Sequence, residues 1–387
     1  MPHALRPQLR ARDIGIFVSC FLLSFVVQSW MAFSSGIPDE GIWGREIENT
    51  ANHFLRPQDT SLGGANSAII DPAFLYPGTT LIVPAAVLVR AGVGADVAFK
   101  LTLAFVISLF SAAAVALSAR IRPKSVWWVL VGILLIFNPY YTIASPASAA
   151  VIPILAFFAL VLLAFCEHPL GEGRSTRFLI AIGILGGIAS ATRLDVSALV
   201  FGGGLVLLSL SLGWRVIIPA LVIPLTFMVL DPFSWASPLG YAGSLYESMH
   251  TLQTNPFQHM GTLELASVTL GRAPIAPLSF LLWLFVISFR PHLSPAPSAL
   301  VWWLIFLTAT MLAIFFASPF RQIWYLYPFF VLWEMLFPLL VLVCIDALQT
   351  QKGYLSIRRS WAIASVVVLL SLCYLIPFGI GAYHILV

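Results

Sequence analysis

The sequence has little charge and few cysteines, and each shortage excludes a class of protein. Asp, Glu, Lys and Arg make up 9% of its 387 residues, while hydrophobic residues make up 60%. Soluble domains carry roughly 25% charged and about 45–50% apolar residues, so composition excludes a soluble enzyme, a nucleic-acid-binding domain and a disordered scaffold. A chain this apolar needs lipid around it, and its length supports about ten membrane crossings of roughly 20 residues each.

Patterns typical of redox and nucleotide sites are also missing. The four cysteines form no Cys-x-x-Cys pair and lie in or beside apolar runs, which indicates small buried side chains rather than a disulfide framework or a metal cluster. Neither Gly-x-x-x-x-Gly-Lys-Ser/Thr nor Gly-x-Gly-x-x-Gly occurs. We therefore expect no nucleotide-binding fold and no cofactor.

Long apolar runs separated by short charged segments predict the membrane spans. The first run, 14–33, follows three arginines and is too long for the usual core of a signal peptide, which favours a retained anchor. The run 76–89 has only about fourteen residues, two of them proline, and fits either a short span or an interfacial, re-entrant helix. The later runs predict spans near 97–119, 126–143, 149–166, 177–191, 196–212, 215–230, 275–289, 298–316, 323–345 and 361–380.

The basic residues decide between the two interpretations of 76–89. If this run does not cross, thirteen of the twenty basic residues face the cytoplasm against four acids, whereas a crossing turns the basic clusters at 120–124, 174–177 and 352–359 outward. The positive-inside rule favours the first arrangement. The sequence therefore predicts an all-α polytopic membrane protein, with eleven spans in a single transmembrane domain over 1–387. The amino terminus is inside, the carboxyl terminus is outside, the large outer loops are 34–96 and 231–274, and no soluble carboxyl-terminal domain is expected.

An acid pair, Asp39 and Glu40, follows the first span almost directly. A carboxylate at this position can accept a proton from a hydroxyl group that approaches from the aqueous side. The simpler interpretation is a solvated start of the loop, because acids commonly follow a span on the outer side.

Two isolated arginines, Arg193 and Arg321, stand where apolar runs meet the outer face. A guanidinium group can bind two oxygens of a phosphate at once, which suits a phosphate in the headgroup region. The alternative is an arginine that only extends its side chain to the interface, with Asp195 as the partner of Arg193. The loop histidines do not have the spacing of a metal site.

Several short segments carry a family resemblance. The Asp39–Glu40 pair looks like the acidic motif of a first outer loop, and IIDPAFLYPGTTLIV looks like a membrane-skimming segment later in that loop. They are followed, in order, by FKLTLAFVISLFSAAAVALSARI, LIFNPYYTIASPASAAVIPILAFFAL, GILGGIASATRLDVSALVFGGGLVLLSL, DPFSW and RQIWYLYPFF. Over about residues 14–345 these segments resemble the GT-C superfamily of integral membrane glycosyltransferases, which use polyprenyl-phosphate-linked sugars. Relatives include protein O-mannosyltransferases, lipid A aminoarabinose transferases and the catalytic subunit of oligosaccharyltransferase.

The resemblance implies a GT-C fold and assigns roles to individual residues. Asp39 would be the general base with Glu40 as its neighbour, and Arg193 and Arg321 would hold the donor phosphate. The expected cavity-lining residues are Asp71, Tyr76, Asp195 and Tyr325. Where metal-dependent relatives carry acids in the second outer loop, this chain has NPYYTIAS with no carboxylate, so the expected transferase is metal-independent.

The expected activity is inverting transfer of a sugar from a polyprenyl-phosphate-linked donor to an acceptor hydroxyl at the outer face. The partners are then this donor, membrane lipid and a glycan, lipid or protein acceptor, without nucleic acid. No Asn-x-Ser/Thr site occurs, which favours a bacterial inner membrane with a periplasmic active site. The alternatives are a transporter or flippase of lipid-linked sugars, favoured only by Glu334 within a predicted span, and a polymerase or ligase of O-antigen type. The sugar, the acceptor and the prenyl chain length stay open.

Overall fold

A computed structural model of the chain describes residues 11–35, 40–52, 79–121, 127–137, 176–192 and 213–230, together with position 205. Regular structure in these ranges is helical. The helices are α1 (Ala11–Ser35), α2 (Glu40–Asn52), α3 (Thr79–Arg90), α4 (Ala95–Ile121), α5 (Trp127–Ile136), α6 (Thr176–Thr192) and α7 (Ile217–Leu230), with a 3-10 turn at Gly213–Val216 in front of α7. The predicted all-α class is confirmed for this part of the chain.

Within the described ranges, three helical segments are long and apolar enough to cross a membrane: Ala11–Ser34, Ala95–Ala116 and Gly213–Leu230. The first has 24 residues, or roughly 36 Å at 1.5 Å per residue, against a hydrocarbon core of about 30 Å. Thr80–Arg90 and Leu179–Ala191 are shorter apolar helices. The chain is therefore a helical membrane protein. Apart from position 205, the predicted spans 149–166, 196–212, 275–289, 298–316, 323–345 and 361–380 lie outside the described residues.

Helices α1 and α4 pack against each other in opposite directions. The Phe21 ring meets the Phe105 ring edge-on at 5.4 Å, and further along α1 the Phe33 ring lies 5.7 Å from the Lys100 ammonium. Contacting positions thus rise along α1 while they fall along α4. The carboxyl end of α1 and the amino end of α4 consequently lie at the same end of the pair, which we name the acid-pair end because Glu40 follows there.

Helix α1 has one polar buried side and one apolar exposed side. Ser24 and Gln28 are fully buried, and the Gln28 amide donates a 2.8 Å hydrogen bond to the carbonyl of Ile136 at the end of α5. The exposed side carries large apolar residues at four-residue intervals: Ile14, Val18, Leu22, Val26 and Trp30. Such a stripe is stable against lipid tails, whereas the glutamine needs a protein partner because the bilayer core offers none.

Helix α4 buries four hydroxyl groups, and three of them are hydrogen-bonded within the helix, whereas the Ser111 hydroxyl has no hydrogen-bond partner. Thr102, Ser108 and Ser118 each donate to the carbonyl four residues earlier, at 2.8, 2.6 and 2.7 Å. This internal bonding removes the desolvation cost of a polar group in an apolar environment. A long apolar helix can therefore carry these small residues and still pack closely against α1, α3 and α5.

Helices α2 and α3 connect α1 to α4 at the acid-pair end. Helix α2 buries Gly44, Ile47 and Ala51 on one side and exposes Arg45 and Glu48 on the other, and it packs on α3 and α4. Leu81, Ile82, Ala85 and Ala86 of α3 are almost fully buried. A tight turn at 91–94 then leads into α4, with Gly92 at φ 93°, a left-handed conformation that suits glycine.

Candidate functional site

The described residues reach the edge of the predicted site at two places. Glu40 is the first residue of α2, and Thr192, the last residue of α6, directly precedes Arg193. The other predicted site residues, Asp39, Asp71, Tyr76, Arg193, Asp195, Arg321 and Tyr325, lie outside the described residues. What the structure provides is therefore the arrangement of the helices that adjoin Asp39–Glu40 and Arg193.

The acid pair adjoins the junction between α1 and α2. Helix α1 ends at Ser35 and α2 begins at Glu40, so only four residues, 36–39, connect them. In sequence, Asp39 is the residue before the first helical residue of α2, a position where aspartate is strongly preferred because its carboxylate can accept a hydrogen bond from a free backbone N–H. At this position two roles are open to Asp39, helix cap and proton acceptor. Substitutions can distinguish them.

A third acid, Asp96, lies at the same end of the molecule. Its carboxylate is placed against α2, since a Cβ built on Gly44 would be 2.5 Å from Asp96 Oδ1. Gly44 is buried and stands one helical turn after Glu40, so a glycine at this position lets the carboxylate approach the α2 backbone. Asp96 belongs to the first turn of α4, where the partial positive charge of the helix end stabilises a negative side chain.

Asp96 lies at the boundary of the predicted first outer loop, and no role was predicted for it. The available signal was an acid directly after a short glycine-containing turn and directly before an apolar run, which is the start of a helix. Its contact with Gly44 could not be derived from the sequence, because it depends on how α2 folds back onto α4.

Lys100 adds a cation to the acid-pair end. It stands one turn after Asp96 in α4, and its ammonium lies 5.7 Å from the centroid of the Phe33 ring near the end of α1. A cation over an aromatic face is attracted by the negative charge of the ring and contributes about 0.5–1 kcal/mol at exposed sites. Together, the Lys100–Phe33 and Asp96–Gly44 contacts hold the ends of α1, α2 and α4 close to each other.

The second place is the pair of helices α6 and α7. A Cβ on Gly183 would be 2.5 Å from Val222 Cβ, and one on Gly187 would be 2.8 Å from the carbonyl oxygen of Ile223 and closer still to Thr226. The two glycines form a Gly-x-x-x-Gly pattern, which allows two helix backbones to approach closely in a membrane. We name this contact the glycine seam.

The glycine seam was not recognised from the sequence, although its pattern was visible there. Gly183, Gly186 and Gly187 belong to the segment GILGGIASATRLDVSALVFGGGLVLLSL, which entered the prediction only through its family resemblance. The pattern alone does not reveal the partner helix. The structure shows that the partner is α7, which packs against α6, the helix that ends directly before Arg193.

Within the described ranges, no three His, Cys, Asp or Glu side chains come together in a way that could hold a metal ion. No known protein family, curated protein or solved structure matches the chain.

Proposed function

We propose that the chain is an integral membrane glycosyltransferase, which moves a sugar from a polyprenyl-phosphate-linked donor to an acceptor hydroxyl on the outer face of the membrane. The proposal is supported first by the order of the sequence segments that resemble the GT-C superfamily. The observation that carries it in the structure is the antiparallel packing of α1 and α4, with α2 beginning at Glu40 between them.

This packing bears on which side of the membrane the acid pair occupies. The end of α1 and the start of α4 lie at one end of the pair, which favours a connecting segment without a net crossing. That supports the arrangement in which the run 76–89 does not cross and the basic residues before α1 and after α4 stay in the cytoplasm. The acid pair then faces the periplasm of a bacterial inner membrane, at the end opposite Arg12.

The proposed chemistry is one in-line displacement. Asp39 accepts the proton of the acceptor hydroxyl as its oxygen bonds to the anomeric carbon, and the bond from that carbon to the phosphate oxygen breaks with its electron pair. Polyprenyl phosphate leaves, and the anomeric configuration inverts. Arg193 and Arg321 stabilise the charge that develops on the departing phosphate. Every step is assigned to side chains, so the proposed reaction needs no metal ion.

The three candidate functions differ in what they do with a labelled donor. Purified protein in lipid vesicles is given radiolabelled polyprenyl-phosphate monosugars and, separately, polyprenyl-diphosphate oligosaccharides, each with a panel of glycan, lipid and peptide acceptors. We expect transfer from the monosugar donors. Transfer only from the diphosphate oligosaccharide indicates a polymerase or ligase. Movement of donor between leaflets without transfer indicates a flippase, and either of these results contradicts the proposal.

A further inference from the structure

Helix α7 has one packed side and one exposed side. On the packed side, Pro219, Val222 and Thr226 lie against the two glycines of the glycine seam. Successive residues of an α-helix are about 100° apart around the axis, so positions 217, 221, 225 and 228 lie on the opposite side. These positions carry large apolar side chains, and all four are exposed: Ile217, Leu221, Leu225 and Met228. We name this surface the α7 stripe.

The α7 stripe begins beside a tryptophan and an arginine. Trp214 stands one turn before Ile217, in the 3-10 turn at the start of α7, and 79% of its surface is exposed. Arg215 is its neighbour in this turn and is half-buried. An exposed indole beside an arginine, at the end of an apolar helix, is typical of the boundary between a membrane and water.

The α7 stripe is about as long as one leaflet of a membrane is thick. From Ile217 to Met228 the helix axis rises by roughly 17 Å, and each leaflet contributes about 15 Å of hydrocarbon. A lipid whose headgroup lies at Trp214 and Arg215 can therefore keep an acyl chain against α7 through the whole leaflet.

We infer that Trp214, Arg215 and the α7 stripe form a binding site for an anionic phospholipid. The Arg215 guanidinium group binds two oxygens of the headgroup phosphate, the Trp214 indole lies at the level of the headgroup, and an acyl chain packs along the stripe. A net negative headgroup binds more tightly than a zwitterionic one, because the ammonium group of the latter offsets the attraction to arginine.

The lipid belongs to the leaflet at the start of α7. The distribution of basic residues predicts that this leaflet is the cytoplasmic one, where anionic lipids attract basic side chains next to a span. The site is independent of the proposed sugar transfer, so a protein without transferase activity would still bind the lipid.

Thermal unfolding of the purified protein in a neutral detergent tests the preference for an anionic headgroup. Phosphatidylglycerol and phosphatidylcholine with the same acyl chains are titrated separately, and glycerol phosphate is titrated as the headgroup alone. We expect phosphatidylglycerol to raise the unfolding temperature at about fivefold lower concentration than phosphatidylcholine, the effect of one basic residue near an anionic lipid. Equal concentrations for the two lipids, or an equal rise with glycerol phosphate alone, overturn the inference.

Variants assign the preference to Arg215. Arg215→Gln should abolish the difference between the two lipids, whereas Arg215→Lys should keep most of it because the charge stays. The matched control is Arg90→Gln, which removes an exposed arginine at the end of α3 and should leave the difference unchanged. A difference that survives in Arg215→Gln, or that is lost equally in Arg90→Gln, overturns the site.

Photocrosslinking locates the lipid with Arg215 intact. Benzoylphenylalanine replaces Trp214 or, as the control, Trp30, an exposed tryptophan of α1. Radiolabelled phosphatidylglycerol captured at position 214 should be displaced by unlabelled phosphatidylglycerol at about fivefold lower concentration than by phosphatidylcholine. At position 30 the two lipids should compete equally. Equal competition at position 214 also overturns the inference.

Discussion

At the scale of single residues, two separable roles are proposed for Asp39. Asp39 stands in sequence at the preferred capping position of α2, and the proposed reaction uses it as the base. Asparagine is as good a helix cap as aspartate, but its amide cannot accept a proton at neutral pH. Substitution by asparagine therefore removes the proton acceptor and keeps the helix cap.

Asp39→Asn is expected to lower sugar transfer by at least about a hundredfold while leaving the unfolding temperature near that of the wild type, since general base catalysis contributes roughly 10²–10⁴-fold. Asp39→Ala should lose the same activity and, in addition, about 1 kcal/mol of stability through the lost cap. Transfer assays and thermal unfolding of both variants check this. An Asp39→Asn variant with full activity would remove the assignment of the base.

Arg321→Ala is expected to raise the KM for the donor more than the KM for the acceptor, because the guanidinium group is proposed to bind the lipid-linked phosphate. Steady-state kinetics with each substrate varied in turn give the two constants. The control is Arg272→Ala, which removes an arginine of the predicted outer loop 231–274. It should change neither KM by more than about twofold. Equal effects of Arg321→Ala on both substrates would argue against a phosphate-binding role.

At the scale of the helices, apolar run length predicted the bounds well and the contacts poorly. The expected spans 14–33, 97–119 and 215–230 correspond to helical segments long enough to cross a membrane, Ala11–Ser34, Ala95–Ala116 and Gly213–Leu230, because lipid imposes a length on each apolar segment. The expected span 177–191 corresponds to the shorter helix Thr176–Thr192. The pairing of α6 with α7 depends on two glycines and on the small surface that they expose. A sequence pattern within one helix shows such a surface but does not show which helix packs against it.

The glycine seam should tolerate no side chain. Gly187→Leu is expected to destabilise the protein by about 1–3 kcal/mol, because the new side chain would overlap Thr226 and the Ile223 carbonyl. Gly15→Leu is the matched control in α1, where nothing lies within 4 Å of an added Cβ. Thermal unfolding of the two variants in the same detergent measures the difference. Equal stability of both variants would show that the seam is not packed as described.

The parallel direction of α6 and α7 is measurable by distances between spin labels. Ile180, Ile217 and Val229 are exposed, and each can be replaced by a labelled cysteine in a background without native cysteines. Gly183 lies against Pro219 and Val222, and Gly187 lies against Ile223 and Thr226, so the contacted positions rise along both helices and the helices are parallel. Positions 180 and 217 are then level, whereas 229 is displaced by twelve residues, roughly 18 Å along the axis. The 180–217 pair should therefore give the shorter distance. A shorter 180–229 distance would indicate antiparallel helices.

At the scale of the whole molecule, the composition predicted that the chain folds in lipid. The distribution of basic residues predicted which side of the membrane each loop occupies. With 9% charged residues the chain has to fold in lipid, and the described helices agree with that. The contacts within the predicted first outer loop were harder to predict. The contact of Asp96 with Gly44 has no local sequence signature, and neither has the packing of α3 against α2, α4 and α6. Those contacts arise between segments far apart in the chain, and only the fold brings them together.

The most direct test of this account asks from which side the reaction proceeds. The protein is reconstituted in sealed vesicles of one orientation, established by protease access to a tag on the amino terminus. Labelled donor is placed in the bilayer, and a water-soluble acceptor is supplied on one side at a time. We expect transfer only when the acceptor is on the side opposite the amino terminus, where Asp39 and the two arginines are proposed to meet. Transfer only from the amino-terminal side would contradict the proposed site.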